Sequence, residues 1–398
     1  MNDQEELEYY YFVVDVEGED ASSGPLIITK ELKDFELFEV PDINFNFDSA
    51  VMLPKALRSL VCCYLYAQDN PSKLVLIAGH ADRTGDFQYN QWLSKKRAEN
   101  VLNVLLGQRK TWVNSVTTSE GPIQRKPEGK SKVEDYQTIL SWAATKFGWP
   151  CDPGTIYRTS AKNWQRYARM PNNKKAIKAF QESYNKEFHK SIKEDGGMGP
   201  ETWGAFFDLY LLELAEILGL DSDVSRLETY RSALKFVDGH KILSCGEGHP
   251  ITRFYTSEDD RRVEILFFDS QDKPKLDYHP DCHEGPLGDP QKVAKCELYG
   301  KNSIYRRTVM ACDPDHILFI EVRDYEDNPL SGVKVIIECE PGGPAFATTP
   351  YGTGETNANG VFVVRDVPEG AYVVSVDTKD DESLAGFTGI KERVKMPK

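Results

Sequence analysis

The sequence predicts a multidomain α+β protein that combines a helix-layered sheet, an all-α bundle and an antiparallel β-sandwich. Three observations carry that expectation. Strand-like and helical segments alternate up to about residue 106, helical spacing alone runs from Tyr136 to Leu220, and short alternating runs broken by turn residues extend from Ile317 onward. The 398 residues provide length for two or three domains.

The elements follow in order. Tyr9-Tyr10-Tyr11-Phe12-Val13-Val14-Asp15-Val16 is aromatic and β-branched, Gly18 to Gly24 supplies a turn, and Pro25-Leu26-Ile27-Ile28-Thr29 returns, which predicts a β-hairpin. Ile43-Asn44-Phe45-Asn46-Phe47 alternates apolar with polar and reads as a half-buried strand. Asp48-Ser49 is positioned to cap a following helix that carries Met52, Leu53, Leu57, Leu60, Val61 and Leu65. Leu74-Val75-Leu76-Ile77-Ala78 is a continuous apolar run ended by Gly79, the pattern of a strand buried on both faces. A helix from about Asn90 to Leu106 then presents Leu93, Ala98, Val101, Leu102 and Leu105. Gly107 to Lys132 turns polar, with Pro122, Pro127 and several basic residues, and reads as a linker.

Further helices are predicted around Ile139, Leu140 and Trp142, around Ala176, Ile177, Phe180 and Tyr184, and from Trp203 to Leu214. Asp195-Gly196-Gly197-Met198-Gly199-Pro200 joins the last two, with Pro200 suited to a first helical position. Strand character returns in Arg261-Arg262-Val263-Glu264-Ile265-Leu266-Phe267-Phe268. Turns such as Glu326-Asp327-Asn328-Pro329 and Ala358-Asn359-Gly360 then divide the strands of the predicted β-sandwich.

Composition narrows the function. With 48 Lys+Arg against 63 Asp+Glu the formal charge is −15, which argues against a general nucleic-acid binder held by phosphate neutralisation. A mean hydropathy of −0.50 is that of an ordinary globular chain, and no window approaches the 18 apolar residues of a membrane span. The N-terminal Met1-Asn2-Asp3-Gln4-Glu5-Glu6-Leu7-Glu8 is acidic where a secretory signal is basic, so the chain is expected to start in the cytoplasm. Eight cysteines, with Cys62 and Cys63 adjacent, are not the framework of a small secreted domain, and most are expected to be buried thiols.

Gly79-His80-Ala81-Asp82-Arg83-Thr84-Gly85, followed by Asn90, Leu93-Ser94 and Arg97-Ala98, resembles the OmpA-like C-terminal domain that binds peptidoglycan. Asn90, Ser94 and Arg97 fall at i, i+4 and i+7, on one helix face, while Asp82 lies in the loop where a buried strand ends. The resemblance implies that Asp82 takes the ammonium and Arg97 the carboxylate of the diaminopimelate residue in the stem peptide, a task suited to a guanidinium fork. Asn90 and Ser94 complete the candidate ligand-binding set. The plainer alternative is that Asp82 closes a turn and Arg97 pairs with it to hold the helix. No ligand role is assigned to His80.

The closing strand of such a domain does not follow Leu106. Gly246-Glu247-Gly248-His249-Pro250 and Asp260-Arg261-Arg262-Val263-Glu264-Ile265 resemble it, so the domain reads as split, over 38–108 and 226–271, with 109–225 inserted. The insert, through Ala176-Ile177-Lys178-Ala179-Phe180-Gln181 and Asp195 to Trp203, resembles a peptidoglycan-binding-domain-like helical module. Residues 1–37 form the hairpin segment, 272–311 a Cys/His-containing linker and 312–398 the sandwich. That last part, through Pro329-Leu330-Ser331-Gly332-Val333 and Pro368-Glu369-Gly370-Ala371-Tyr372, resembles the carboxypeptidase-regulatory-like, transthyretin-like β-sandwich.

His279, Cys282, His283 and Cys296, with Cys312 beyond, supply enough donors for a zinc site, although their spacing matches no common zinc pattern. A Cys282–Cys296 disulfide and unpaired packing are the alternatives. No nucleophile–base set is assignable, and Glu247 and Glu264 belong to the closing segment rather than to a glycosidase pair. The expectation is therefore a non-enzymatic protein, without cofactor, that binds peptidoglycan and anchors to the cell wall in the envelope or periplasm, reached without a Sec signal. Its rivals are a component or effector of a contractile, type VI-like injection machine that docks on the wall, with machine proteins as further partners, and a zinc-dependent peptidoglycan hydrolase.

Overall fold

The computed structural model describes residues 9–14, 26–31, 33–41, 45–46, 48–117, 130–154, 171–220, 222–237, 241–250, 256–257, 260–274, 298–299, 305–310, 318–322, 330–339, 352–356, 360–364, 367, 370–377 and 391–396. It is a mixed structure of helices and sheets that divides into two compact units, residues 1–214 with 223–310 and residues 215–222 with 311–398.

The first unit opens with strands β1 (Tyr9–Val14) and β2 (Leu26–Glu31), antiparallel with Val14 opposite Leu26. Its main sheet is built from β3 (Lys33–Pro41), β4 (Leu74–Gly79), β5 (Lys235–Phe236), β6 (Ile242–Ser244), β7 (Arg262–Phe268) and β8 (Tyr305–Val309). The order is β5-β4-β7-β3-β8, with β6 also on β4. Strand β7 runs antiparallel to both neighbours, so that Leu76 and Phe38 stand opposite Leu266 and Ile265. All seven of its residues are buried, as a central strand requires.

Side chains alternate across this sheet. Phe35, Leu37, Leu76, Ala78, Leu266 and Phe268 share one apolar cluster. The intervening Phe38 and Phe267 instead meet Tyr66 of helix α1 (Leu57–Asp69), with ring centroids 5.5 and 4.8 Å away. Helix α2 (Phe87–Leu105) covers the same face, where Gly79 permits a close approach: a Cβ on Gly79 would stand 2.1 Å from the carbonyl oxygen of Ser94.

Several expectations change. The first strand of the sheet is β3, whose Phe35, Leu37 and Phe38 are buried, and not residues 43–47. There Phe45 forms an isolated bridge with Met52, while Ile43, Asn44 and Phe47 lie outside the described residues. Asp48 and Ser49 cap no helix, because a 3-10 turn, Pro54–Ala56, leads into α1 and its N-cap is Leu53. Asp48 adopts φ 60° and the Ser49 hydroxyl accepts from the Val51 N–H, so both serve a turn. Helix α2 starts earlier than Asn90, where Asp86 accepts from the Tyr89 N–H.

The stretch read as a linker holds helix α3 (Arg109–Thr117), whose Trp112, Val113 and Val116 are buried at helical spacing. Likewise, the stretch 272–311 supplies β8, parallel to β3 at the sheet edge.

Helices α4 (Lys130–Phe147), α5 (Pro171–Phe188) and α6 (Pro200–Ile217) follow α3. Trp112 packs against Trp203, Phe207 and Tyr210 and donates its indole N–H to Asn100 of α2 at 2.7 Å. The Tyr210 hydroxyl donates to the Met52 carbonyl at 2.7 Å. Buried Asp135 of α4 accepts from Asn46 and from the Ser49 hydroxyl, both at 2.8 Å. Helices α3, α4 and α6 are thus hydrogen-bonded to α2 and to the segment 46–52 ahead of α1.

The second unit carries an antiparallel sheet β11-β10-β13-β14 (Gly352–Glu355, Lys334–Cys339, Gly370–Asp377, Lys391–Met396) and an antiparallel pair β12-β9 (Val361–Val364, Leu318–Glu321). Leu318 and Ile320 share a core with Val335, Ile337, Tyr372 and Val374, so both sheets contribute to it.

Gly79→Ala is expected to force α2 away from β4 and cost about 1–3 kcal/mol, the usual range for overpacking. Urea unfolding measures it, and an unchanged midpoint would refute the close approach.

Candidate functional site

Strand β4 ends at Gly79, and the next residues are gripped from both sides. The His80 N–H donates to the Arg262 carbonyl at 2.8 Å, and the Ala81 N–H to the Gly246 carbonyl at 2.7 Å. This clamp brings Asp82, 5% exposed, against the closing segment of the chain.

The Asp82 carboxylate accepts from the Thr84 N–H at 3.2 Å, from the Thr84 hydroxyl at 3.3 Å and from the Ser257 N–H at 3.4 Å. Its ion pair is with Arg261, whose Nη1 lies 2.8 Å from Oδ2. Buried Asn90 stands behind the loop, its Nδ2 within 3.1 Å of the Asp82 and Thr84 carbonyls and 2.6 Å from the Glu247 carboxylate. Burial pushes the Glu247 carboxyl up; the Asn90 hydrogen bond opposes this and the nearby charge of Asp82 adds to it.

Ser94 is fully buried. Its hydroxyl donates to the Gln91 carbonyl and accepts from the Gly246 N–H at 3.0 Å, which fastens α2 to the same segment. Arg97 is 1% exposed, with Nε donating to the Ser49 carbonyl at 2.9 Å and the guanidinium 5.0 Å from the Phe45 ring centroid. The helix face that carries Asn90, Ser94 and Arg97 therefore serves three different segments of the chain.

Asp82 and Asn90 meet, Ser94 locks the neighbouring loop, and the arginine on Asp82 is Arg261. Arg261 and Glu247 received no role from the sequence beyond membership of the closing motif. The signal that could have found them is the pairing of that motif with the strand ahead of Asp82. His279, Cys282, His283 and Cys296, the candidate zinc ligands, lie outside the described residues, as does Cys312. Cys62 is disulfide-bonded, whereas Cys63, Cys151 and Cys245 are buried and in the thiol form.

Two residues before Asp82, His80 joins a buried charge cluster. Glu264, fully buried on β7, accepts from Arg262 at 2.6 Å, Arg307 at 2.5 Å and the Tyr299 hydroxyl at 2.5 Å. Burial alone would raise the Glu264 carboxyl, but His80 and the two guanidinium groups outweigh it and hold the carboxyl well below the usual carboxylate range. The His80 Nε2 lies 3.5 Å from this carboxylate and its ring packs edge-on against Tyr299. Burial, helped by Arg262, pushes the imidazole down to about 4, so His80 is neutral at neutral pH. The cluster is committed to the sheet.

A cavity of about 850 Å³ lies elsewhere in the first unit, between α3, α5 and α6. Val113, Phe188, Ile192 and Leu209 form apolar walls, with Lys110 and Lys190 beside them. On one side Arg109 makes a two-point contact with Asp208 at 2.8 and 3.0 Å, and the Tyr184 hydroxyl donates to the same carboxylate.

An α/β layer with an acid–guanidinium pair at the end of a buried strand has the chemistry to recognise a polar, charged ligand. Residues 44–136 match the OmpA family, and the chain carries an OmpA-family domain there. Similar proteins include outer membrane protein A of Klebsiella aerogenes, 37% identical over 67 residues, which are 16% of this chain and 19% of that protein. Outer membrane protein A of Citrobacter freundii is 31% identical over 97 residues, 22% of this chain and 40% of that protein. Outer membrane porin F of Pseudomonas fluorescens is 35% identical over 65 residues, 16% of this chain and 20% of that protein. The chain thus spans between a fifth and two fifths of these relatives. No solved structure matches it. These relatives are named as outer membrane proteins. Among the described residues, no helix is long and apolar enough to cross a membrane.

His80 takes a proton more readily in the unfolded chain, near its ordinary value of 6.5, than in the fold, near 4. The stability it supports is therefore complete above about pH 6.5 and declines as pH falls towards 4. His80→Gln is expected to flatten the fall in unfolding free energy over that window, measured by urea titration; parallel slopes in both proteins would refute a buried neutral imidazole.

Proposed function

We propose that this protein binds peptidoglycan and anchors to the cell wall, with no catalytic role, through the domain that contains residues 44–136. The observation that carries the reading is Asp82, nearly buried at the end of β4 and oriented by hydrogen bonds beside Asn90. A carboxylate so held suits the ammonium of a diaminopimelate side chain in the stem peptide. Asp82, Arg97, Asn90 and Ser94 remain the proposed site. In it Asn90 and Ser94 act through the loops they fasten, and Arg97, whose Nε is held by the Ser49 carbonyl, is the guanidinium proposed to take the ligand's carboxylate.

We read the sheet domain as split, with residues up to about 108 and 226–271 forming one layer and the helices between them an insert. The pairing of β7 with both β3 and β4 supports this. So does the return of the chain through β5 and β6 parallel to β4. The core shared by β9, β10, β12 and β13 supports reading the C-terminal part as a β-sandwich. The cavity between α3, α5 and α6 is proposed as a second, weaker wall contact. A cell-envelope location follows from the wall-binding reading, and the disulfide at Cys62 favours an oxidising compartment of that kind.

Sedimentation with purified diaminopimelate-type sacculi tests the reading. Asp82→Ala removes a charged hydrogen-bond partner worth about 1.5–3 kcal/mol, so binding is expected to weaken roughly ten- to hundredfold while the melting profile stays cooperative. Wild-type retention by a folded Asp82→Ala protein would overturn the proposal.

A further inference from the structure

Helix α2 carries an aromatic pair that the site described above leaves unused. Tyr89 and Trp92, about one turn apart, are both half-buried, with ring centroids 5.6 Å apart and planes inclined by 35°. Trp112, Trp149 and Trp203 are buried among other aromatic rings of the helical segment. Among the described residues, Trp92 has Tyr89 as its one ring neighbour, and its indole N–H has no hydrogen-bond partner. The Tyr89 ring is fixed by the Asp48 carboxylate, which accepts from its hydroxyl. Asp48 is exposed and holds φ 60°, a left-handed conformation that costs energy in a residue other than glycine. Asp86, exposed as well, accepts from the Tyr89 N–H at 3.1 Å.

A pyranose ring presents C–H groups on its faces and hydroxyls around its rim. The C–H face stacks on the negative face of an aromatic ring, while a few polar groups beside it bond with the rim and fix its orientation. Tyr89 and Trp92 supply the aromatic faces, the Trp92 indole N–H is a donor suited to an N-acetyl carbonyl, and Asp48 and Asp86 are acceptors for hydroxyls. The same two acids repel a polyanion, so the pair suits a neutral sugar chain. Trp92 is two residues from Asn90, whose amide lies 3.1 Å from the Asp82 carbonyl, which puts the pair within about one helical turn of the proposed site along α2. A three-residue peptide spans up to about 10 Å, the scale on which one ligand would engage both.

We propose that Tyr89 and Trp92 form a glycan subsite, a ledge on which the neutral, N-acetylated sugar chain of peptidoglycan stacks while its peptide lies at Asp82. This inference rests on the wall-binding reading above and deepens it by giving the sugar part of the polymer residues of its own.

The test uses the full chain with two probes: chitotetraose, a peptide-free tetramer of N-acetylglucosamine, titrated by ligand-observed NMR, and purified sacculi in sedimentation. The wild type is expected to bind chitotetraose weakly. Trp92→Ala is expected to weaken that binding roughly fivefold or more and to reduce sacculus retention with it. Trp92→Phe is expected to keep most of both, and Asp82→Ala to leave chitotetraose binding unchanged. A folded Trp92→Ala protein that binds chitotetraose like the wild type overturns the inference. So does a wild type that binds no chitotetraose, or one that binds dextran sulfate, a sulfated polyanion, as tightly. In each of these outcomes wall binding through Asp82 still stands. A folded Asp82→Ala protein that holds sacculi like the wild type, while Trp92→Ala loses them, removes the Asp82 site and supports the glycan subsite.

Discussion

A carboxylate shut away from water in the middle of the central strand constrains the rest of the sheet. Glu264 is fully buried on β7, opposite Glu39 of β3 and Ala78 of β4. An unpaired charge there costs several kcal/mol, and breaking one partner of such a group typically costs about 3–5 kcal/mol. Its partners come from widely spaced parts of the chain: Arg262 on its own strand, His80 after β4, Tyr299, and Arg307 on β8, which also reaches Glu39 at 3.0 Å. The sheet is therefore satisfied only when residues near 80, near 264 and near 300 are assembled together. Asp82 lies two residues from one of those partners and Arg261 one residue from another, so the buried cluster holds both halves of the candidate site in register.

The same logic explains why the site belongs to no single stretch of sequence. Asp82 and Asn90 come from the segment that matches the OmpA family, whereas Arg261 and Glu247 come from beyond it. The helices in between are bonded to the layer that carries the site. Trp112 links α3 to Asn100 of α2, and Asp135 of α4 holds Asn46 and Ser49, the latter the anchor of Arg97. A shift of the helical segment would be felt at Asn100 and Arg97 of α2, the latter about one turn from Ser94 and two from Asn90.

The sequence was most legible where a local pattern and a buried partner agree. Leu74–Gly79 reads as a two-faced buried strand because both of its sides are covered, and Asp82 is visible through the resemblance of Gly79–Gly85 to the OmpA-like motif. Strand β3 was missed because the adjacent Leu37 and Phe38 break the alternation, and the worth of Glu36 and Glu39 appears only when Lys73 and Arg307 reach them. Helix α3 was missed because three buried residues among basic and polar neighbours look like a linker until Trp203 and Phe207 supply the other side of the core. The partner of Asp82 was illegible for a similar reason. Helical spacing puts Arg97 on the face of Asn90 and Ser94, yet spacing does not show that the Ser49 carbonyl and the Phe45 ring claim it.

An internal ion pair at the candidate site also limits the affinity that the proposed wall binding could reach. A zwitterionic ligand must share or displace the contact between Asp82 and Arg261, so the gain on binding is the difference between two sets of charge contacts rather than the whole of the new set. On the wall-binding proposal, a single ligand unit is then held weakly. The wall would repeat that unit at high local density, and a second contact on the same chain would convert later encounters into intramolecular ones, so a modest site would suffice for retention on the mesh.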